Sequence, residues 1–245
     1  MKNIKNIGFI FILGIGFFSC SDLLDEKQTG AYSSATFYQT EIHAQIALTA
    51  VYNSLTFGST QNKFWVIGDV ASDDATKGGG AGDQSEITFI EQFDYDRSNG
   101  VLDGIWTAYY EGITRANNVI YYVPAIEMDE SVKNKIIAEA KVLRAYFYFN
   151  LVNTFGEIPL KTNPPLNQGE INLPKSSVED IYQQIERDLT EAIDVLETNT
   201  GEVGRMSKGS ALGLLAKAHL YQEHWSDVET TIASIDDLGI YKLEL

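Results

Sequence analysis

Apolar residues between Ile136 and Val152 recur at helical spacing along two separate stripes. The two stripes are Ile136, Ala140, Leu143, Phe147 and Leu151, and Ala138, Val142, Ala145, Phe149 and Val152. A surface helix buries one stripe, so a helix with two is expected to lie between neighbours on both sides. Gly156 and Pro159 then end it, because glycine accepts a left-handed backbone and proline lacks an amide hydrogen. The pattern predicts a stack of helices, with this one, beginning near Ser131, close to its middle.

Five further amphipathic helices are predicted around this central helix. They are a helix from about Gln39 to Gly58, a helix capped by Asp103 that runs to Val123, and helices capped by Ser176, Ser207 and Ser226. The buried face of the second is predicted to contain Trp106, Tyr109, Ile113, Ala116 and Ile120. Gly112 and Ala116 on this helix are small residues one turn apart, so a neighbouring helix could approach them closely.

Small and large apolar residues also recur over a longer distance. Ala140 and Leu143 are matched by Ala211 and Leu214, an offset of about two periods of a 34-residue helix-turn-helix repeat. The chain is therefore predicted to be mainly all-α. The repeats are degenerate, and periodicity alone does not assign the class of repeat.

The segment from Thr60 to Leu102 is the longest stretch without helical periodicity, and a long irregular loop is a favoured place for binding. It contains the six residues that we expect to contact a ligand: Trp65, Asp73, Asp74, Asp83, Gln84 and Tyr95. The carboxylates and the amide could hydrogen bond to hydroxyl groups, and the aromatic rings could cover an apolar face of a ligand. The alternative is a flexible surface loop whose acidic residues are only solvated.

Two other readings of this loop fail on residue spacing. The glycines from Gly78 to Gly82 are not followed by Gly-Lys-Ser/Thr, so they do not form a phosphate-binding loop. The run from Asp94 to Gly100 approaches a calcium-binding loop, but its glycine is one place late. The twelfth position is Ile105 instead of glutamate, which argues against specific calcium binding.

Composition excludes further classes of function. With 34 acidic against 18 basic residues and a net charge of −16, the chain would repel the phosphates of a nucleic acid. No Gly-x-Ser-x-Gly motif occurs, and nothing in the sequence positions a catalytic pair among the many carboxylates. Of the three histidines, His219 and His224 are five residues apart, which is not a metal-binding spacing on a helix. We expect no catalytic residue, no metal and no cofactor.

The N-terminus has the pattern of a bacterial lipoprotein signal. Lys2 and Lys5 precede an uncharged apolar run that is too short to span a bilayer, and this run ends at Cys20, the only cysteine. We expect residues 1–19 to be a signal peptide, Cys20 to be lipidated, and residues 20–38 to form a polar tether. The alternative is an ordinary secretory signal with an incidental cysteine.

Several phrases resemble a known family, and they follow that family's order along most of residues 20–240. They are CSDLLDE, TFYQTEIHAQIALTAVYNSL, IWTAYYEGITRANNVI, AEAKVLRAYFYFNLVNTFGEIPL and KGSALGLLAKAHLYQEHW. The chain resembles the N-terminal part of the SusD/RagB family of outer-membrane nutrient-binding lipoproteins. The resemblance implies tetratricopeptide-like helical repeats over residues 39–245 and a surface-exposed lipoprotein without catalysis. It also implies delivery of an oligosaccharide or a peptide to a TonB-dependent transporter of the SusC type during nutrient uptake.

Two departures from the family pattern matter. Members are typically about twice as long, so the C-terminal half that builds much of the ligand site is expected to be absent. Glycan-binding members often have a tryptophan near a glycine-rich acidic segment, and here that segment reads Gly82-Asp83-Gln84 without one.

The competing functions are a helical-repeat adaptor without a small-molecule ligand and, less favoured by the residues, an enzyme such as a glycosidase.

Overall fold

The computed structural model describes residues 34–58, 65–80 and 82–242. Contacts between Cα atoms divide the chain into two units, Met1–Phe37 and Tyr38–Leu245. Within the first unit, only the short helix α1, Ser34–Phe37, falls among the described residues. The expected signal peptide, Cys20 and most of the tether lie outside them. No helix in the described ranges combines the length and apolar character needed to cross a membrane.

The second unit is built from helices. They are α2 (Glu41–Asn53), a π-helical turn (Val66–Val70), α3 (Ser85–Glu91), α4 (Gly100–Tyr122), α5 (Glu130–Phe155), α6 (Val178–Ile193), α7 (Lys208–Tyr221) and α8 (Trp225–Asp236). Across the described ranges there is no strand, and one isolated bridge joins Ile158 to Ser176 at the two ends of the proline-containing loop. The all-α prediction is confirmed.

The central helix α5 is buried along both predicted stripes. Every residue of the two stripes is at most 4% exposed. Helix α5 packs against α2, α4 and α6, and the stack continues as α6 packs on α7 and α7 on α8. Each large apolar side chain buried in this way contributes about 1.5–3 kcal/mol, so α5 contributes strongly to the stability of the stack.

Three of the predicted helix caps are wrong, while Ser207 is confirmed as the cap of α7. Helix α4 begins at Gly100, where the side chain of Asn99 accepts hydrogen bonds from two backbone amides, so Asp103 lies inside the helix. The cap of α6 is Ser177, one residue beyond the predicted Ser176. Helix α8 begins at Trp225 without a side-chain cap, so the predicted cap Ser226 also lies inside its helix. Several capping residues stand next to one another at each start, and the backbone conformation that selects one depends on tertiary contacts.

The prediction of a continuous irregular loop from Thr60 to Leu102 is wrong in part. This segment contains the π-helical turn, all of α3 and the first residues of α4. Helix α3 has seven residues and buries Ile87 and Ile90, each 1% exposed. Two buried positions are too few to produce a detectable helical period, so the sequence pattern does not reveal this helix.

Candidate functional site

Three adjoining depressions cross the surface where the segment before α4, the first half of α4 and the end of α5 come together. Their volumes are about 390, 470 and 370 Å³. The first and second share Tyr95 and Asp96, and the second and third share Trp106, so they form one continuous surface. We call this surface the aromatic groove. Its aromatic lining residues are Phe89, Tyr95, Trp106, Tyr110 and Phe155.

Trp106 occupies the junction between the second and third depressions. It is half-buried, and its ring centroid lies 4.8 Å from that of Tyr110 and 5.1 Å from that of Phe155. The hydroxyl of Tyr110 donates a hydrogen bond to the carbonyl of Pro159 at 2.7 Å. Burial raises the pKa of Tyr110, so this hydroxyl stays protonated and keeps the hydrogen bond. The indole of Trp106 thus contacts the ring of Tyr110, which is anchored by its hydroxyl, and the ring of Phe155, while part of the indole surface remains exposed.

Charged groups lie along the same groove. Asp96 accepts hydrogen bonds from the amide and the hydroxyl of Ser98 at 2.7 and 2.5 Å, and these bonds lower its pKa. Glu111 lies at the third depression together with Lys161. The ammonium group of Lys161 is 5.5 Å from the ring centroid of Tyr110 and donates a hydrogen bond to the carbonyl of Ile171. Aromatic faces flanked by carboxylate acceptors and an ammonium donor can contact both the C–H face and the hydroxyls of a sugar.

Of the six predicted ligand-contacting residues, the structure places Tyr95 in the groove, with 48% of its surface exposed. Trp65, 44% exposed, precedes the π-helical turn, and Asp73 and Asp74 are exposed in the segment that follows this turn. None of these three residues lines the depressions that form the groove. The structure therefore combines Tyr95 with residues from α4 and α5 that the prediction did not include.

Asp83 and Gln84 also lie outside the groove, at the start of α3. The amide of Asp83 donates to the carbonyl of Gly80, and a Cβ placed on Gly79 would come within 2.7 Å of the Asp83 carboxylate. Lys77 binds the same turn, because its ammonium donates to the carbonyls of Gly78 and Gly80, at 3.3 Å each. The glycine segment is therefore a turn closed by its own hydrogen bonds. Gln84 has a left-handed backbone with φ 46° and precedes α3 without capping it through its side chain.

Sequence reasoning missed Trp106 and Phe155 as groove residues. Trp106 has the spacing of the buried face of α4 and was predicted to be a core residue, but the structure leaves it half-buried. Phe155 is the last residue of α5, so its ring reaches beyond the packed part of the helix. The only signal in the sequence is the density of aromatic residues in α4, and this density does not distinguish a core position from a binding position.

The stacked helices and the groove define a helical-repeat protein with a surface suited to binding. A family model described as "SusD-like_3: Starch-binding associating with outer membrane" matches residues 22–220, so the chain belongs to the SusD-like family. A SusD-like protein of Bacteroides ovatus is 30% identical over 216 residues, which cover 86% of this chain and 38% of the relative. SusD-like protein P2 of Formosa agariphila is 28% identical over 221 residues, which cover 90% of this chain and 43% of the relative.

Solved structures of related proteins have the same fold over most of this chain. A laminarin binding SusD-like protein is 34% identical with a TM-score of 0.74, covering 81% of this chain and 44% of that protein. Surface glycan-binding protein A from Bacteroides fluxus is 31% identical with a TM-score of 0.75, covering 84% of this chain and 46% of that protein. The chain thus spans less than half the length of these relatives. The names of the two proteins with solved structures describe carbohydrate binding, and neither name denotes an enzyme.

Proposed function

We propose that the protein is a surface lipoprotein that binds an oligosaccharide along the aromatic groove and passes it to a TonB-dependent transporter of the SusC type. The observation that carries this proposal is the partly exposed indole of Trp106, held between Tyr110 and Phe155 at the junction of two depressions. The 34% identity to a laminarin binding protein supports a glucan as the first ligand to test.

The physical argument rests on the rigidity of the groove. A ring already fixed by its neighbours loses little conformational entropy when it stacks on a sugar, so more of the contact energy appears as affinity. Asp96 and Glu111 can accept hydrogen bonds from hydroxyls at separate depressions of the groove, which would orient the ring of a bound sugar.

Trp65, Asp73, Asp74, Asp83 and Gln84 stay candidates for additional contacts outside the groove. The mature protein is proposed to be held at the outer membrane by a lipid on Cys20, with residues 1–19 removed as the signal peptide. Residues 20–38 would form the tether and residues 39–245 the helical-repeat domain. The family's description as associated with the outer membrane supports this location.

Calorimetric titration with laminarin, and with soluble starch as a second glucan, tests the proposal. We expect Trp106→Ala to weaken binding of the better ligand about fivefold or more. Stacking on an aromatic side chain is worth about 1–3 kcal/mol for a nucleic-acid base, and we take the contact of a sugar ring with Trp106 to be comparable. Trp225→Ala is the matched control, because Trp225 is 59% exposed on α8 and does not line the groove. Equal affinity in the parent and Trp106→Ala would place the ligand outside the aromatic groove.

A role as a helical-repeat adaptor has one supporting observation. Helix α8 buries Thr231 among its residues, while Trp225 and Ile232 are 59% and 45% exposed. Large apolar side chains on an exposed helix are typical of a protein contact. If the adaptor role is right, Trp225→Ala would abolish co-purification with a SusC-like transporter and no glycan would bind. If the ligand is a peptide instead of a glycan, calorimetric titration would give heat of binding with peptide mixtures and none with laminarin or starch.

A further inference from the structure

His219 and His224 lie side by side at the turn that joins α7 to α8. Helix α7 ends in a Schellman motif, in which the amide of Glu223 donates to the carbonyl of Leu220 and the amide of His224 donates to that of His219. Glu223 has the left-handed backbone that this motif requires, with φ 60°. The motif normally brings two apolar side chains together, and here these positions are two histidines whose ring centroids are 6.3 Å apart.

A carboxylate from the neighbouring helix completes the cluster. Glu186 of α6 places its Oε1 3.5 Å from Nδ1 of His219, and Gln222 donates a hydrogen bond of 2.6 Å to the same oxygen. Nδ1 of His219 is buried and has no hydrogen-bond partner among the described residues. A buried polar atom without a hydrogen bond is unfavourable, so a further partner for this nitrogen is expected.

We propose that Glu186, His219 and His224 bind a divalent first-row transition metal ion, with Zn²⁺ as the representative. One ligand atom from each residue lies within 4.8 Å of the other two. Zinc bonds of about 2.0–2.2 Å place tetrahedral ligands roughly 3.3 Å apart, so side-chain rotations must shorten these separations. Two imidazoles and one carboxylate suit Zn²⁺, Ni²⁺ or Cu²⁺, whereas Mg²⁺ and Ca²⁺ prefer oxygen ligands alone.

The same geometry explains why the sequence did not reveal this site. The spacing rule for histidine ligands assumes that the helix continues between them, but α7 ends at Tyr221. The chain then reverses, and His224 returns toward the last turn of α7. His224 is exposed, which provides a route for the ion, and a water molecule would fill the fourth position. The bound ion would connect α6 to the turn between α7 and α8.

Calorimetric titration with Zn²⁺ tests the site on the full chain, prepared without a histidine tag and stripped with a chelator. We expect one Zn²⁺ per chain, with His224→Ala and Glu186→Gln each weakening binding at least tenfold. His224→Ala is expected to fold normally because His224 is exposed. His43→Ala is the matched control, since His43 lies on α2 outside the cluster.

A second measurement identifies the ligands. Co²⁺ bound in place of Zn²⁺ should give the visible absorption of a four-coordinate nitrogen and oxygen site, and excess Mg²⁺ should not displace it. Absence of Zn²⁺ binding would overturn the proposal. Unchanged binding in His224→Ala and Glu186→Gln would also overturn it, because the ion would then be held by other groups on the acidic surface. Sugar binding does not enter either measurement, so the result is independent of the proposed function.

Discussion

Arg144 on α5 and Asp188 on α6 form a buried bidentate ion pair. Nε of Arg144 donates to Oδ2 of Asp188 at 2.8 Å and Nη2 donates to Oδ1 at 2.6 Å, with side chains 5% and 1% exposed. Nη1 of Arg144 donates to the side chain of Asn117 and to the carbonyl of Thr162. Gln184 donates a further hydrogen bond to Asp188. This network joins α4, α5, α6 and the proline-containing loop, and it fixes how the central helices face one another.

Removing one partner of this pair is expected to be costly. Asp188→Ala leaves a buried guanidinium without its counterion, and we expect a loss of about 3–5 kcal/mol in the free energy of unfolding. Glu157→Ala is the matched control, because Glu157 pairs with Lys175 at the surface, where exposed pairs contribute at most about 1 kcal/mol. Urea denaturation compares the two variants. A loss below 1 kcal/mol in Asp188→Ala would mean that the pair is hydrated in solution.

Glu139 is predicted to make stability depend on pH. Burial raises the pKa of this carboxyl above its ordinary value of about 4.5, although Tyr52 and Arg205 donate hydrogen bonds to it. Between the ordinary pKa and the raised one, the folded state binds more protons than the unfolded state, so stability falls as pH rises through that window.

Glu139→Gln removes this titration. It should therefore abolish the pH dependence of the free energy of unfolding that comes from Glu139. Urea denaturation from pH 4 upward is expected to show the parent losing stability relative to the variant as pH rises, and then a constant difference above the raised pKa. Glu202→Gln is the control, because the Glu202 side chain is 75% exposed beside the same Arg205. Parallel pH curves for the parent and Glu139→Gln would contradict a raised pKa.

Gly112 allows α4 and α5 to approach closely, as its spacing with Ala116 predicts. A Cβ at this position would lie 2.6 Å from Cε2 of Phe147, which is fully buried and cannot move aside easily. Gly112→Ala is therefore expected to destabilise the protein by about 1–3 kcal/mol.

Gly213→Ala is the matched control for this substitution within another helix. A Cβ there meets no atom within 4 Å, so the higher helix propensity of alanine should stabilise the fold by up to about 1 kcal/mol. Thermal unfolding should show melting-temperature shifts of opposite sign, about 2–4 °C per kcal/mol for a chain of this size. Shifts of the same sign would contradict the packing of α4 on α5.

Replacement of Asp73 and Asp74 by alanine tests whether the segment outside the groove contributes to binding. Both residues are exposed, so the melting temperature is expected to change little. We expect the double variant to bind the glycan more weakly than the parent, measured by calorimetry beside Trp106→Ala. Equal affinity in the parent and the double variant would remove Asp73 and Asp74 from the site.

Cys20→Ala tests the proposed lipid anchor. The variant should leave the membrane fraction or accumulate as an unprocessed precursor, since no other cysteine is present to take the lipid. Ser21→Ala is a suitable control because it retains Cys20. Fractionation and gel migration identical to the parent would rule out lipidation.

The properties that depend on the pattern of neighbouring residues within one helix could be predicted without a structure. The two stripes of α5 specify burial on both sides, because each side-chain direction follows from the helical period. The same reasoning predicted the all-α class, the cap at Ser207 and the close approach at Gly112. Each of these depends on residues within a few turns of one helix.

The features that depend on distant residues could not be predicted in this way. Arg144 meets Asp188 across 44 positions, and Tyr52 meets Glu139 across 87. Trp106 has the spacing of a core residue, but it is half-buried beside Phe155, the last residue of α5. His219 and His224 become neighbours because a left-handed residue reverses the chain between them. Helical period determines which way a side chain points, but what it meets there depends on how the helices pack, and that packing is a property of the whole chain.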